Sequence, residues 1–295
     1  MTTIQDPAVP IALPAGDEAR IARRERLRLL ARSPTFILGA VLFGAWVVCA
    51  LFGPLFAPHN PQAADVLAKL APPAGDHLFG TDRLGRDVLS RVIEGARTIL
   101  ITAPLATILG TVAGTTIGLV TGYYRGLVDE VVMRLVDALL AMPVIITTLV
   151  AVVALGPSRL TLILVIGLVF APIIAKTVRA AVLGERELDY VQAARLRNER
   201  SPYIMFAEIL PNVMGPVIVE FTVRLGYAIF TVATLSFLGF GADPSIPDWG
   251  QDISEHYQFI NGGVWWAVLF PSLAIATLIV GINLIADAIA QTFER

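Results

Sequence analysis

TILITAPLATILGTVAGTTIGLVTGYY, residues 98–124, holds no charged side chain between Arg97 and Arg125. A helix crosses the hydrocarbon core of a bilayer with about 20 apolar residues, so this run is long enough to span. Gly110, Gly114, Gly118 and Gly122 recur in it at every fourth position. That spacing sets all of them on one helix face, where another backbone can approach closely. The second backbone belongs either to this chain or to a partner chain.

The rest of the chain has the same character. It has 295 residues, 56% of them hydrophobic and 16% charged, with a mean hydropathy of +0.72. A soluble domain is about a quarter charged, so the composition indicates an all-α polytopic membrane protein whose main solvent is lipid. The first span is FILGAVLFGAWVVCALFGPLFA, 36–57, and residues 98–124 supply the second. A third follows Asp137 to about Leu155, opened by Ala141-Met142-Pro143, and a fourth runs from Leu160 to about Ala180 around Pro172. A fifth, more polar, covers about 212–238, and a sixth runs from about Gly263 to Ala286. Each proline removes a backbone donor and is expected to kink its helix.

Arginines flanking the first span (Arg20, Arg23, Arg24, Arg26, Arg28, Arg32) and those from Arg179 to Arg200 place both segments inside the cell. Both termini are then cytoplasmic, and no cleaved signal segment is expected. The organisation read from this is a cytoplasmic tail at 1–34, a first transmembrane helix at 35–57 and an extracytoplasmic segment at 58–97. A five-helix core at 98–295 follows, with a polar loop at 185–212. Within 77–97, Leu84, Val88, Leu89, Val92 and Ile93 predict an amphipathic helix capped by Thr81 or Asp82, with Arg83, Asp87 and Arg91 paired along it.

Little in the chain points to covalent chemistry. Cys49 is single, which excludes an intrachain disulfide and a cysteine metal site. His59, His77 and His256 read as scattered surface histidines, so neither a metal site nor a catalytic residue is expected. Gly80 and Gly85 are followed by Arg86-Asp87 where a phosphate loop needs Lys-Ser/Thr. Glu220 and Arg224 stand four apart in the fifth span, acid first, the favourable order for an intrahelical pair. Arg224 falls roughly 15–18 Å into that span, near the midplane. It is either half of a structural pair or a lining of a translocation pathway that meets an anionic group such as a peptide carboxylate. Asn212, at the start of the span, joins these two as a pathway candidate. The loop GADPSIPDWGQDISEHYQFING, 241–262, reads either as an ordinary solvated connection or as a partner contact.

Between the fourth and fifth spans stands YVQAARLRNERSPYIMFAEILPN, 190–212, polar and helical in pattern. Tyr190 to Arg197 are good helix formers, Asn198 tolerates the left-handed conformation that ends a helix, and Ser201-Pro202 can start another. Two short helices with a tight turn form a rigid protrusion. The stretch resembles the EAA loop of ABC importer permeases. Gln192-Ala193-Ala194 stands for E-A-A, and Ile209-Leu210-Pro211-Asn212 matches the family's ending. HLFGTDRLGRDVLSR (77–91), MRLVDALLAMP (133–143) and LSFLGFGADPSIPDWG (235–250) are similar to the second, C-type permease chain of dipeptide, oligopeptide and nickel importers.

The resemblance implies a type I importer permease fold, with six transmembrane helices and a cytoplasmic coupling-helix loop, in a bacterial inner membrane. It implies ATPase coupling through Tyr190, Gln192, Ala193, Ala194, Asn198, Leu210 and Pro211. It also implies a second homologous permease chain, two ATPase subunits or domains that bind ATP and magnesium, and an extracytoplasmic solute-binding protein. This chain would bind no cofactor. An ATP-independent channel or a membrane-embedded enzyme is the alternative reading. Three positions depart from the family pattern: Asn198 replaces a glycine, Gln192 a glutamate, and Thr231-Val232-Ala233-Thr234 the segment where relatives carry an acid before LSFLG.

Overall fold

The computed structural model describes residues 30, 32–241, 243 and 245–293. The arginines from Arg20 to Arg28, and most of the expected tail, lie outside the described residues. The helices are α1 (Pro34–Phe56), α2 (Val88–Tyr124), α3 (Gly126–Leu140), α4 (Val144–Leu155), α5 (Arg159–Glu185), α6 (Asp189–Leu196), α7 (Met214–Leu235), α8 (Trp249–His256) and α9 (Trp266–Phe293). Among the described residues, α1, α2, α5, α7 and α9 are each long and apolar enough to span, and α3 with α4 makes a bent sixth candidate. The bend between α3 and α4 is 89° and falls at residues 141–143. Met142-Pro143 therefore stands between two helices rather than at the start of one, because proline cannot donate to the preceding turn.

The α2–α5 pair forms the centre. A Cβ added at Gly110 would stand 2.8 Å from the Gly167 carbonyl oxygen, and one at Gly114 2.6 Å from that of Ala171. At Gly118 the obstacle is the Ala175 oxygen at 2.8 Å, and at Gly122 the Val182 side chain at 2.7 Å. The ladder thus faces a helix of this same chain, and Gly167 returns the contact at 2.8 Å from the Ala106 oxygen. A similar seam joins α1 to α9, where Gly39 lies against the Gly281 carbonyl oxygen and Trp46 Nε1 donates to Thr277 Oγ1 at 3.1 Å. The other sides of the long helices carry exposed Leu, Val, Ile and Phe, as lipid-facing surfaces do.

At one end of the bundle the segments before α2 and after α7 close into a cap, which differs from the sequence expectations in three places. Residues 77–87 are turns and an isolated bridge pairing Thr81 with Asp87, not an amphipathic helix. The helix starts at Val88 with the Asp87 carboxylate accepting from Ser90 N, and it continues without a break through the second span. Gly80 and Gly85, at φ 73° and 80°, hold the turns that keep this segment from winding into a helix. The Arg83–Asp87–Arg91 series is therefore not formed. Arg83 pairs with Glu255 at 3.1 Å, and Arg91 is buried against Asp252 with its Nε donating at 2.9 Å.

The second difference concerns 241–262, whose middle is no solvated loop, although Tyr257–Gly262 is an exposed 3-10 turn. Residues 249–256 form α8, capped by Asp248, and bury Trp249, whose Nε1 donates to the Val92 carbonyl at 2.8 Å over Gly95. The third concerns the histidines. His256 is buried: the Arg83 amide donates to its Nε2 at 3.2 Å, while its Nδ1 faces the Asp252 carbonyl. His59 and His77 lie together, ring centroids 4.8 Å apart. Burial pushes the Asp252 carboxyl above the ordinary carboxylate range, and the Arg91 guanidinium opposes that shift.

Candidate functional site: the helical loop and the charged pair

The opposite end of the bundle carries the polar loop. α6 buries Val191 and Ala194, three positions apart on its inner face. Ala193 is turned outward, and Leu196 is 88% exposed. The helix ends in a Schellman motif: Glu199 N donates to the Ala194 carbonyl at 3.2 Å and Asn198 N to that of Arg195 at 3.0 Å. Asn198 takes φ 56°, the left-handed conformation expected of it. The next helical run begins at Ser201, with Arg200 in the capping position and no side-chain cap, one residue earlier than the Ser201 cap expected. It widens to a π-helix over Ile204–Ile209, which buries Ile204, Met205 and Ile209, and ends through Leu210–Asn212.

Short polar contacts tie this loop to the bundle. Tyr190 OH donates to Glu185 at 2.7 Å, and burial together with that carboxylate pushes the phenol up to about 12. Gln192 Nε2 donates to the Arg186 carbonyl at 3.4 Å, so its amide serves the last turn of α5. Arg186 Nη1 donates to the Tyr123 carbonyl at 2.7 Å, and the Arg195 guanidinium lies 5.2 Å from the Tyr123 ring centroid. The end of α2 is thereby clamped to the loop. Arg197 reaches Glu208 at 3.5 Å and bridges the two limbs.

Of the loop residues singled out in the sequence, Ala193 and Pro211 are on the surface, Tyr190, Gln192 and Leu210 are half-buried, and Ala194 is inside. Leu196, Tyr203 and Phe206 escaped the sequence reading, yet all three are large and exposed. The signal was present, since in α6 Leu196 falls off the Val191–Ala194 face. Asn212 is exposed at this same end, its amide donating to the Glu208 carbonyl at 2.8 Å.

In α7, Arg224 Nε donates to Glu220 Oε1 at 2.7 Å, with side-chain exposures of 17% and 12%. The guanidinium also lies 5.3 Å from the Tyr227 ring centroid, and that ring is exposed. The pair is neutralised within its own helix, and its cationic head borders an open aromatic face. Asn212 is not part of that cluster.

The description "Binding-protein-dependent transport system inner membrane component" matches residues 114–295. "N-terminal TM domain of oligopeptide transport permease C" matches 23–73. The chain is 40% identical over 266 residues to the dipeptide transport system permease protein DppC of Escherichia coli K12, covering 87% of this chain and 88% of that one. It is 34% identical over 279 residues to the DppC protein of Alkalihalophilus pseudofirmus, covering 92% and 89%. Among solved structures, one titled as inward-facing conformations of the MetNI methionine ABC transporter superposes with a TM-score of 0.56 at 19% identity. It covers 70% of this chain and 97% of that one, a likeness of fold.

Proposed function

The chain belongs to the binding-protein-dependent inner-membrane permeases, as a C-type subunit of the peptide ABC importers, and on that premise we propose that it passes short peptides across the membrane by alternating access. It is a multi-pass inner-membrane protein that catalyses no reaction; its ATPase partners hydrolyse ATP. A homologous permease chain completes the pathway, and a solute-binding protein delivers the peptide. Kinship with peptide permeases along most of both chains is the observation that carries the substrate class.

The motor docks on residues 185–212. Ala193, Leu196, Tyr203 and Phe206 form the apolar contact, while Tyr190, Gln192, Asn198, Leu210 and Pro211 hold its shape. Ala194 supports it from inside. Because Arg186 and Arg195 clamp the loop to Tyr123, and the glycine ladder locks α2 to α5, a displacement of the loop moves α2, α5 and the start of α7 together. Packed helices switch between discrete arrangements rather than bending continuously, so such a motion changes which side of the bundle is open. Arg224 faces the pathway and meets the peptide carboxylate, with Glu220 holding the guanidinium in place.

The test is reconstitution of the chain with its partner permease, both ATPases and the solute-binding protein in proteoliposomes. Uptake of a labelled dipeptide should require ATP and every component. Uptake by this chain alone, or uptake indifferent to ATP, would overturn the proposal.

A further inference from the structure

The cap end holds a cluster that the transport reading does not use. His77 Nδ1 lies 2.9 Å from Asp87 Oδ1, and His59 Nδ1 lies 3.8 Å from the same oxygen. One ligand atom from each of the three residues falls within 4.8 Å of the others. Ligand atoms held at about 2.0–2.2 Å around a tetrahedral zinc stand roughly 3.4 Å apart. Small side-chain rotations therefore bring this set to coordinating distance without moving the backbone.

We propose that His59, His77 and Asp87 bind a first-row divalent metal ion of the zinc class. Two imidazoles and one carboxylate are a borderline donor set that suits such ions, whereas calcium and magnesium prefer oxygen alone. Three protein ligands leave a coordination position for water. His77 Nδ1 faces the carboxylate at hydrogen-bond distance; a metal taking that place requires the nitrogen lone pair, so any proton there leaves on binding.

The three ligands come from two segments, the chain leaving α1 and the turns at 77–87, and each is anchored by hydrogen bonds. Asp87 Oδ2 accepts from Ser90 N at 2.8 Å and from its hydroxyl at 2.7 Å, which leaves Oδ1 turned to the histidines. The same Ser90 hydroxyl accepts from the His59 backbone amide at 3.1 Å. His77 is pinned by a paired exchange of backbone hydrogen bonds with Ala74. The bonds to the Asp87 carboxylate are outer-shell contacts of the kind that orient a ligand and raise affinity, while those at His59 and His77 fix the backbone. Access comes from the surface. The side chains of His59 and His77 are 39% and 24% exposed while that of Asp87 is at 1%, and His59 also lines a groove with Asn60, Gln62 and Glu94. A bound ion would staple the chain leaving α1 to the start of α2.

Isothermal titration of the purified full-length chain, carrying no histidine tag, with zinc sulfate tests the site. One equivalent should bind, and His59→Gln and His77→Gln should each weaken it at least about tenfold. Copper(II) provides a second readout, since its electron paramagnetic resonance spectrum should show two imidazole nitrogens, reduced to one in either variant. Absence of stoichiometric binding, or a spectrum unchanged in both variants, would overturn the assignment. Neither histidine caps a helix, so both variants should fold. Asp87 is left intact because it starts α2.

Discussion

Asn198 shows how far a single residue can be read. Its left-handed φ of 56° follows from a helix that must stop before Ser201, and asparagine tolerates that conformation better than other non-glycine residues. Asn198→Gly should preserve or raise stability by up to about 1 kcal/mol, whereas Asn198→Val should lower it by more than that. Thermal unfolding in detergent separates these outcomes. Ala194 teaches the opposite lesson. The Q-A-A triplet marks it as a docking residue, but its side chain is fully buried, because the helical period turns Ala193 outward and Ala194 in. Ala194→Asp should therefore disrupt the loop itself and be seen as a lowered melting temperature. Leu196→Asp should leave melting unchanged and abolish co-purification of the ATPases. Equal melting losses in both would place the docking face elsewhere.

Among the elements, α2 was partly legible. Its uncharged stretch from Thr98 to Tyr124 and its glycine period declared a spanning helix with one close-packing face, but periodicity cannot say which helix fills that face. With carbonyl oxygens 2.6–2.8 Å from any added Cβ at Gly110, Gly114 and Gly118, larger residues have no room. Gly114→Val should cost about 1–3 kcal/mol or more by overpacking, while Gly44→Ala, with nothing within 4 Å of its Cβ, should be neutral. Comparing the two melting temperatures checks this. The segment before α2 misled because an apolar stripe at helical spacing is only permissive. Residues 77–87 satisfy their backbone groups through turns and through contacts with segments distant in sequence, such as Trp266 Nε1 donating to the Thr81 carbonyl at 3.0 Å.

Across the whole molecule, the cap depends on charge pairs that join remote segments. Arg91 and Asp252 are 161 positions apart and both buried. Arg91→Met should destabilise the chain by roughly 3–5 kcal/mol, because it leaves a buried carboxylate unpaired, and Arg91→Met with Asp252→Leu should recover much of that loss. Unfolding of the two variants side by side measures it; equal losses would mean that the pair itself is not the support. The pathway proposal is tested at the same scale. Glu220→Gln with Arg224→Gln keeps the shape of the helix while removing both charges. This double variant should assemble with its ATPases yet take up dipeptide at least tenfold more slowly, the scale of about 1.4 kcal/mol. Unimpaired uptake would make the pair purely structural.

By itself the sequence determined that this chain lives in a bilayer, which runs cross it, where it breaks out into a helical loop, and which family it resembles. Those properties are local: apolar length, helical period, turn chemistry and short motifs are written in neighbouring residues. Only the tertiary structure decided which helix fills the glycine face, that Ala194 points inward, that α3 and α4 meet at a bend of 89°, and that His59 and His77 meet over Asp87. Each of these depends on the approach of segments far apart in the chain, and packing settles that approach through steric fit and the pairing of buried polar groups.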